Sequence, residues 1–314
     1  MLNILTLNPN CAVVLHLSPS FNYAESAMSK EEFGKVVGER FADQVFINSE
    51  SVRTGWFDII QAHLANFKYI SSLIDFEYFS LIASNELFIR KGLYDKIKFF
   101  DCGLGGGKFY GADSTKRGAK LANKDKALLS ILEDLGGDTI YWSQIEGTYY
   151  KKSIFQQMVK IIEKRFYYEE IDELYEREEI YFPTVLRNLS KTQPINISEG
   201  GVYTFVPWGR ATLTTHLSEV KSFLAEPSCC YYSVKRVGRT LNDFVRMYIR
   251  QHCSYYRELT HYVKGVEHMD EVKLFNAEKQ YQFRQTLLRK WKVFSYYFTH
   301  SSEMIKIFKE KFGK

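Results

Sequence analysis

A chain of 314 residues with 45% hydrophobic content can bury a full core, which excludes a small scaffold dependent on disulfides or metal. No run of 18 or more apolar residues occurs, and the opening Met1-Leu2-Asn3-Ile4-Leu5-Thr6 lacks the basic start and long apolar stretch of a secretory signal, so a cytoplasmic protein is expected. The net charge of +5 is modest, and its location matters more than its size.

The five cysteines (Cys11, Cys102, Cys229, Cys230 and Cys253) are odd in number and include no C-x-x-C pair, so neither a zinc site nor a disulfide framework is expected and all read as reduced thiols. Asn188-Leu189-Ser190 and Asn196-Ile197-Ser198 match the glycosylation sequon but carry no weight without a secretory route.

In chain order, residues 12–17 and 44–48 read as short buried strands, separated by a helix over 29–41 with glutamates in its first turn. Residues 59–73 have helical periodicity, and 78–83 read as a further strand. This β-α-β-α-β order predicts an α/β fold in which helices flank a mixed central sheet. Ligands in such sheets sit beyond the carboxyl ends of strands, which singles out Ser49-Glu50-Ser51-Val52 and Ser84-Asn85-Glu86. The glycine-rich run 101–108 fails the P-loop pattern, because Cys102 stands where glycine is needed and Phe109 where Ser or Thr is needed. It reads as a mobile surface loop, with closure over a substrate as the functional alternative.

Residues 138–142 read as a strand, and Glu146-Gly147-Thr148-Tyr149-Tyr150 leads into a helix over 153–165. The acidic cluster 169–173 reads as a solvated face. Glu178-Glu179-Ile180-Tyr181-Phe182-Pro183-Thr184-Val185 differs, because an apolar, aromatic segment with a proline follows the paired carboxylates. Glu179 is therefore expected at the lip of a packed element, where the surroundings can raise a carboxylate's pKa enough for it to act as a base. Farther on, Val202 to Arg210 reads as a strand running into Trp208 and Arg210, and Lys235-Arg236 places two cations beside apolar residues, an arrangement able to neutralise a diphosphate.

The positive charge is concentrated at the end: residues 271–314 hold ten Lys/Arg against four Glu, interleaved with aromatics at helical spacing. A helix packed back on the domain is the plain reading, and contact with an anionic membrane face the functional one. No motif supports nucleic-acid binding. The expected organisation is an α/β domain over 1–260 and a basic, aromatic helical extension over 261–314.

The ordered series of segments over roughly 12–250 resembles the core-2/I-branching β-1,6-N-acetylglucosaminyltransferase family, which includes peptide xylosyltransferases and bacterial polysaccharide enzymes. Ala12-Val13-Val14-Leu15-His16 resembles its histidine strand, and Val52-Arg53-Thr54-Gly55-Trp56 its V-x-x-x-W segment. Ile82 to Ile89 stands where the family has L-S-G-x-D-(Y/F)-P-L, and Glu146-Gly147-Thr148-Tyr149 resembles its G-S-(Q)-W. Glu179 to Leu186 resembles E-x-(F/Y)-F-x-T-V-L, and Lys235-Arg236-Val237 resembles R-K-F.

The resemblance implies a GT-A-like glycosyltransferase that inverts the anomeric centre without a metal; the sequence independently contains no D-x-D spacing. It implies Glu179 as general base, Arg236, Lys235 and Arg210 as diphosphate ligands, Val52 and Trp56 at the nucleotide, and Glu86, Asn85 and Trp208 at the acceptor. No cofactor beyond a UDP-sugar donor is implied, with UDP-N-acetylglucosamine the default and UDP-xylose the alternative. Three departures stand out: Glu86 replaces an aspartate, Phe88 a proline, and Ser18 the aspartate of the histidine strand. The family's first strand, whose loop helps hold the base, must fit before Asn10. Two other function classes remain open, namely a carbohydrate- or nucleotide-binding relative without turnover and a basic interaction protein using its tail.

Overall fold

The computed structural model describes residues 2–19, 35, 39, 41, 43–52, 54–55, 59–109, 111, 116–166, 175–208, 214–252 and 268–312. The expected helix 29–41 and the acidic cluster 169–173 therefore lie largely or wholly outside the described residues.

The elements, in order, are α1 (Leu2–Leu7), β1 (Val13–Leu15), β2 (Val45–Ile47), α2 (Ile60–Leu73), β3 (Tyr78–Leu81), β4 (Leu87–Phe88), α3 (Leu93–Ile97), β5 (Cys102–Leu104) and β6 (Lys108–Phe109). They continue with α4 (Arg117–Ala122), α5 (Lys126–Asp134), β7 (Tyr141–Trp142), β8 (Thr148–Lys151), α6 (Lys152–Arg165), α7 (Arg177–Leu189) and β9 (Ile197–Glu199). The last are β10 (Thr204–Phe205), α8 (Leu217–Ala225), β11 (Ser233–Val234), α9 (Phe244–His252) and α10 (Glu271–Phe312).

The protein is a mixed α/β structure with sheets flanked by helices. The chain divides into two compact units, one of residues 1–215 and 219–238, the other of residues 216–218 and everything from Arg239 on.

In the first unit the largest sheet has four strands in the order β3-β8-β5-β9. Its first two pairings are antiparallel and the β5–β9 pairing is parallel, so the sheet is mixed. A three-stranded sheet, β10-β11-β4, and two-stranded pairs β1-β2 and β6-β7 complete the unit. The β-α-β-α-β expectation is corrected here: β1 and β2 pair in parallel as expected, but β3 pairs with β8, not with them.

The glycine-rich run is likewise no mobile surface loop. Residues 102–104 form a fully buried strand, and Gly105 is held at Ser143, whose Oγ accepts from its N–H at 2.9 Å.

Helix α6 is amphipathic: Ile154, Phe155, Met158, Val159 and Ile162 are its buried residues, the i, i+4, i+8 stripe of a helix with one face in a core. Its basic end is tied down, with Arg165 Nε and Nη2 donating to the two oxygens of Asp134 at 2.9 and 3.0 Å. Helix α7 is buried nearly all round, its polar Arg177, Glu178, Thr184 and Asn188 included. The two meet in an aromatic cluster, with Phe155 5.3 Å from Phe182 and 4.9 Å from Phe67 of α2. Asp125 caps α5 by accepting from Ala127 N–H at 3.0 Å and Leu128 N–H at 3.2 Å. Its other oxygen accepts from the Tyr175 and Tyr181 hydroxyls, the latter at 2.8 Å, which fixes the start of α7.

In the second unit Glu278 accepts from Leu217 N–H at 2.9 Å, and Phe275 and Tyr281 of α10 pack edgewise or tilted on Tyr248 and Phe244 of α9. Beyond that contact α10 exposes Phe283, Leu287 and Leu288 beside Arg284, Arg289 and Lys290. Among the described residues no helix is long and apolar enough to cross a membrane.

Candidate functional site

The site is built on the first turn of α7. Pro183 lies inside this helix and has no N–H, so the carbonyl four residues earlier loses its intrahelical donor. That carbonyl belongs to Glu179, and it accepts from Ser143 N–H at 2.9 Å instead. Two further polar groups of α7 grip the same segment. The Thr184 hydroxyl accepts from Tyr141 N–H at 2.9 Å and donates to Tyr141 O at 3.1 Å, while Asn188 Nδ2 donates to Thr139 O at 3.0 Å. Segment 139–143 is thereby fixed along α7, with Trp142 beside Glu179.

The Trp142 indole Nε1–H donates to Glu179 Oε2 at 2.8 Å. Burial raises the Glu179 carboxyl to about 8, with the charge of Glu146 adding to the rise, the Trp142 hydrogen bond opposing it, and Glu178 and Glu176 adding smaller repulsions. The paired carboxylates thus part company. Glu178 is buried and its Oε2 lies 3.4 Å from the Ile59 N–H donor, whereas Glu179 is only partly buried and keeps an oxygen beyond the one bound by Trp142.

Residues 143–147 lead from α7 to the three-stranded sheet. Gly147 has φ +75°, the left-handed region, and a Cβ there would stand 2.5 Å from Thr204 N, so both the backbone and the space demand glycine. Its N–H donates to Leu81 O at 3.1 Å and its carbonyl accepts from Tyr203 N–H at 3.1 Å. Between these anchors sits Glu146, buried and in contact with the Lys235 ammonium. Gln144 Nε2 donates to Glu146 O at 2.8 Å and Thr204 O at 3.1 Å, and its Oε1 accepts from Trp208 Nε1 at 3.2 Å.

Arg236 lies with its guanidinium carbon 4.9 Å from the Trp208 ring centre and donates to Pro207 O at 3.3 Å. Its φ of 64° is the one positive value at a non-glycine among the described residues, a strained backbone of the kind that accumulates at functional positions. Trp208 is half-exposed.

Glu86 closes the far side of the three-stranded sheet. Its Oε1 accepts from Thr204 Oγ1 at 2.6 Å and Ser233 Oγ at 2.7 Å, and its Oε2 from Ala83 N–H at 3.0 Å. Burial still lifts this carboxyl to about 7, against those three hydrogen bonds. Asn85 O accepts from Val237 N–H at 3.2 Å, tying the acidic turn to the Lys235-Arg236 segment.

Val52 donates its N–H to His16 Nε2 at 3.0 Å, so the Val52 segment and the histidine strand are in contact. They reach α7 through α2, since His63 packs edgewise on Phe182 at 6.3 Å. Trp56 and Arg210 lie outside the described residues. The start of the chain forms helix α1 rather than a strand, and Asn3 pins it to β4 by donating to Phe88 O at 2.9 Å and accepting from Phe88 N–H at 2.8 Å. The base-holding strand that was to precede Asn10 is therefore corrected to a helix.

Within the first unit the structure thus links Glu179, Glu86, Asn85, Trp208, Lys235 and Arg236 through the 139–147 segment. Trp142, Gln144, Glu146, Thr204 and Ser233 had no role assigned from sequence. Glu146 was visible only as part of a motif, and Trp142 only as the end of a strand. Among the described residues no group of three or more His, Cys, Asp or Glu could hold a metal ion. An open depression of about 470 Å³ lies at the opposite end of β8. Lys152 and Lys151 there pair with Asp75 and Asp101 at 2.8 and 2.9 Å, so their charges are already balanced.

Compared with known proteins, the chain matches no family model and no curated protein.

Proposed function

We propose that the protein is an inverting, metal-independent glycosyltransferase. It transfers a sugar, with N-acetylglucosamine as the default, from a UDP-sugar to a hydroxyl of a glycan acceptor in surface polysaccharide or lipid-linked glycan synthesis. The observation that carries this reading is the Glu179 carboxylate, oriented by Trp142 at 2.8 Å and connected through residues 143–147 to the cations Lys235 and Arg236.

In the proposed reaction the ionised Glu179 accepts the proton of an acceptor hydroxyl as that oxygen bonds to the anomeric carbon from the face opposite the nucleotide. The bond from the anomeric carbon to UDP breaks with its electron pair on the diphosphate. Arg236 and Lys235 meet the charge that develops there, a role in which fixed cations favour the transition state. Trp208, its ring partly exposed, offers a stacking face for a sugar. Glu86 and Asn85 orient acceptor hydroxyls, and Val52 lies at the nucleotide. A UDP-xylose donor fits the same arrangement of charges.

Nucleotide release from a panel of UDP-sugars with glycan acceptors, in the presence of chelator, tests the reading. Chelator-resistant release that falls about 10²- to 10⁴-fold in Glu179→Gln, the usual range for a general base, supports it. Release that needs a divalent ion, or that survives Glu179→Gln, overturns it.

One observation favours a second reading, a carbohydrate or nucleotide binder without turnover: the Lys235 ammonium assigned to the leaving diphosphate is already paired with Glu146. UDP binding without release in any variant is its signature. Peripheral contact with an anionic membrane face belongs to the same proposal, supported by the exposed Phe283, Leu287 and Leu288 beside three cations on α10.

A further inference from the structure

Glu146 is 6% exposed, and its surroundings hold it in place. Ser143 N–H on Glu179 O and Gly147 N–H on Leu81 O anchor its segment at both ends, and Gln144 Nε2 holds its own carbonyl. Its Oε1 contacts the Lys235 ammonium, whose side chain is itself mostly buried, while its Oε2 is buried with no hydrogen-bond partner among the described residues. A carboxylate left half-satisfied in a buried place is costly, and the ordinary structural choice at this position would be a neutral side chain. Its charge also reaches both neighbouring acids, since Glu146 contributes repulsion at Glu179 and at Glu86.

We infer that Glu146 is a positioning residue of this site: a buried carboxylate on the segment docked at the Glu179 carbonyl, it tethers the Lys235 ammonium and holds a second negative charge near Glu179. The groups that act on Glu179 are then Trp142 on β7, Glu176 and Glu178 at the start of α7, and Glu146 on the connecting segment. Lys235 acts indirectly, by partly neutralising Glu146. The catalytic consequence, a base with high proton affinity beside an ordered cation, rests on the glycosyltransferase reading. The coupling between Glu146 and Glu179 does not, and can be measured without any substrate.

Trp142 supplies the measurement, because its indole donates to Glu179 and its emission changes when that acceptor gains a proton. The pH-dependent fluorescence difference between the protein and its Trp142→Phe counterpart isolates this signal from the other tryptophans. The midpoint is expected near 8. In Glu146→Gln, compared with its own Trp142→Phe counterpart, it should fall by about one pH unit, the order of a like-charge neighbour's effect. Glu146→Asp, which keeps the charge, should hold the midpoint high, and a purely structural role would not separate these two variants.

If Glu146→Gln alone does not fold, Glu146→Gln combined with Lys235→Met removes both members of the buried pair; the midpoint should still fall, by less than in the single variant, because the lost ammonium offsets part of the lost carboxylate charge. An unchanged midpoint in the folded Gln variant overturns the inference. A fall accompanied by no nucleotide release in any form of the protein leaves the inference standing and removes the glycosyltransferase reading instead.

Discussion

The carbonyl of Glu179 accepts from Ser143 N–H at 2.9 Å because Pro183, one helical turn on, has no N–H to offer. A proline inside a buried helix is ordinarily a defect; here the orphaned carbonyl becomes the dock for the segment carrying Trp142, Gln144 and Glu146. Pro183→Ala supplies a competing intrahelical donor. Alanine is favoured over proline in a helix interior by about 3 kcal/mol, so the urea midpoint should hold or rise. Nucleotide release should nevertheless fall about tenfold or more as the segment loses its register, since small misplacements cost that much. Steady-state kinetics beside urea unfolding checks the opposed signs.

The reaction needs Glu179 ionised, and burial holds its carboxyl near 8. Release should therefore rise with pH, about tenfold per unit below that value, and level off above it. The Trp142 hydrogen bond favours the ionised form, so Trp142→Phe should move the rising limb to higher pH. A pH–rate profile of both proteins, with a limb that stays in place or moves down, would contradict the assigned contact.

Glu86 makes stability itself pH-dependent. Its carboxyl is raised from 4.5 to about 7 in the fold, so the folded state keeps a proton that the unfolded chain has released. The associated stability is fully present below about 4.5 and is lost as pH rises towards 7, in total about 3 kcal/mol. Glu179 acts in the same direction up to about 8. Urea unfolding at intervals from pH 4.5 to 8 should show this decline, and Glu86→Gln should flatten its lower part.

Gly147→Ala places a Cβ 2.4 Å from Thr204 Oγ1 at a backbone φ of +75°. Backbone strain and the clash act together, and the clash is with main chain as well as a side chain. A loss of about 2 kcal/mol or more is expected in urea unfolding. A variant as stable as the parent would mean that this turn is not held as described.

For α10, reversing Arg284, Arg289 and Lys290 to glutamate should abolish flotation with vesicles rich in anionic lipid, each exposed cation contributing about 1 kcal/mol near such a surface. Nucleotide release from soluble substrates should be unaffected. Equal flotation of the two proteins rules out the membrane contact.

The sequence by itself determined several of the elements, among them α2, α6 and the strands β1 and β2, and the packing of the segment that follows Glu179. Helical spacing placed α2 and α6 nearly to their ends, and the aromatic segment behind the paired glutamates marked a carboxylate at the lip of a packed element, where burial raises its proton affinity. Such signals are local, spanning a few turns or alternations.

The tertiary structure decided the rest. It separated Glu178 from Glu179, joined β3 to β8 instead of to β2, and made a buried strand of Cys102–Leu104. It also gave Glu179 its tryptophan from 37 residues away, Glu146 its lysine from 89 and Glu86 its threonine from 118. Strand pairing and one proline-freed carbonyl set those distances, and no spacing along the chain encodes which distant groups a fold will bring together.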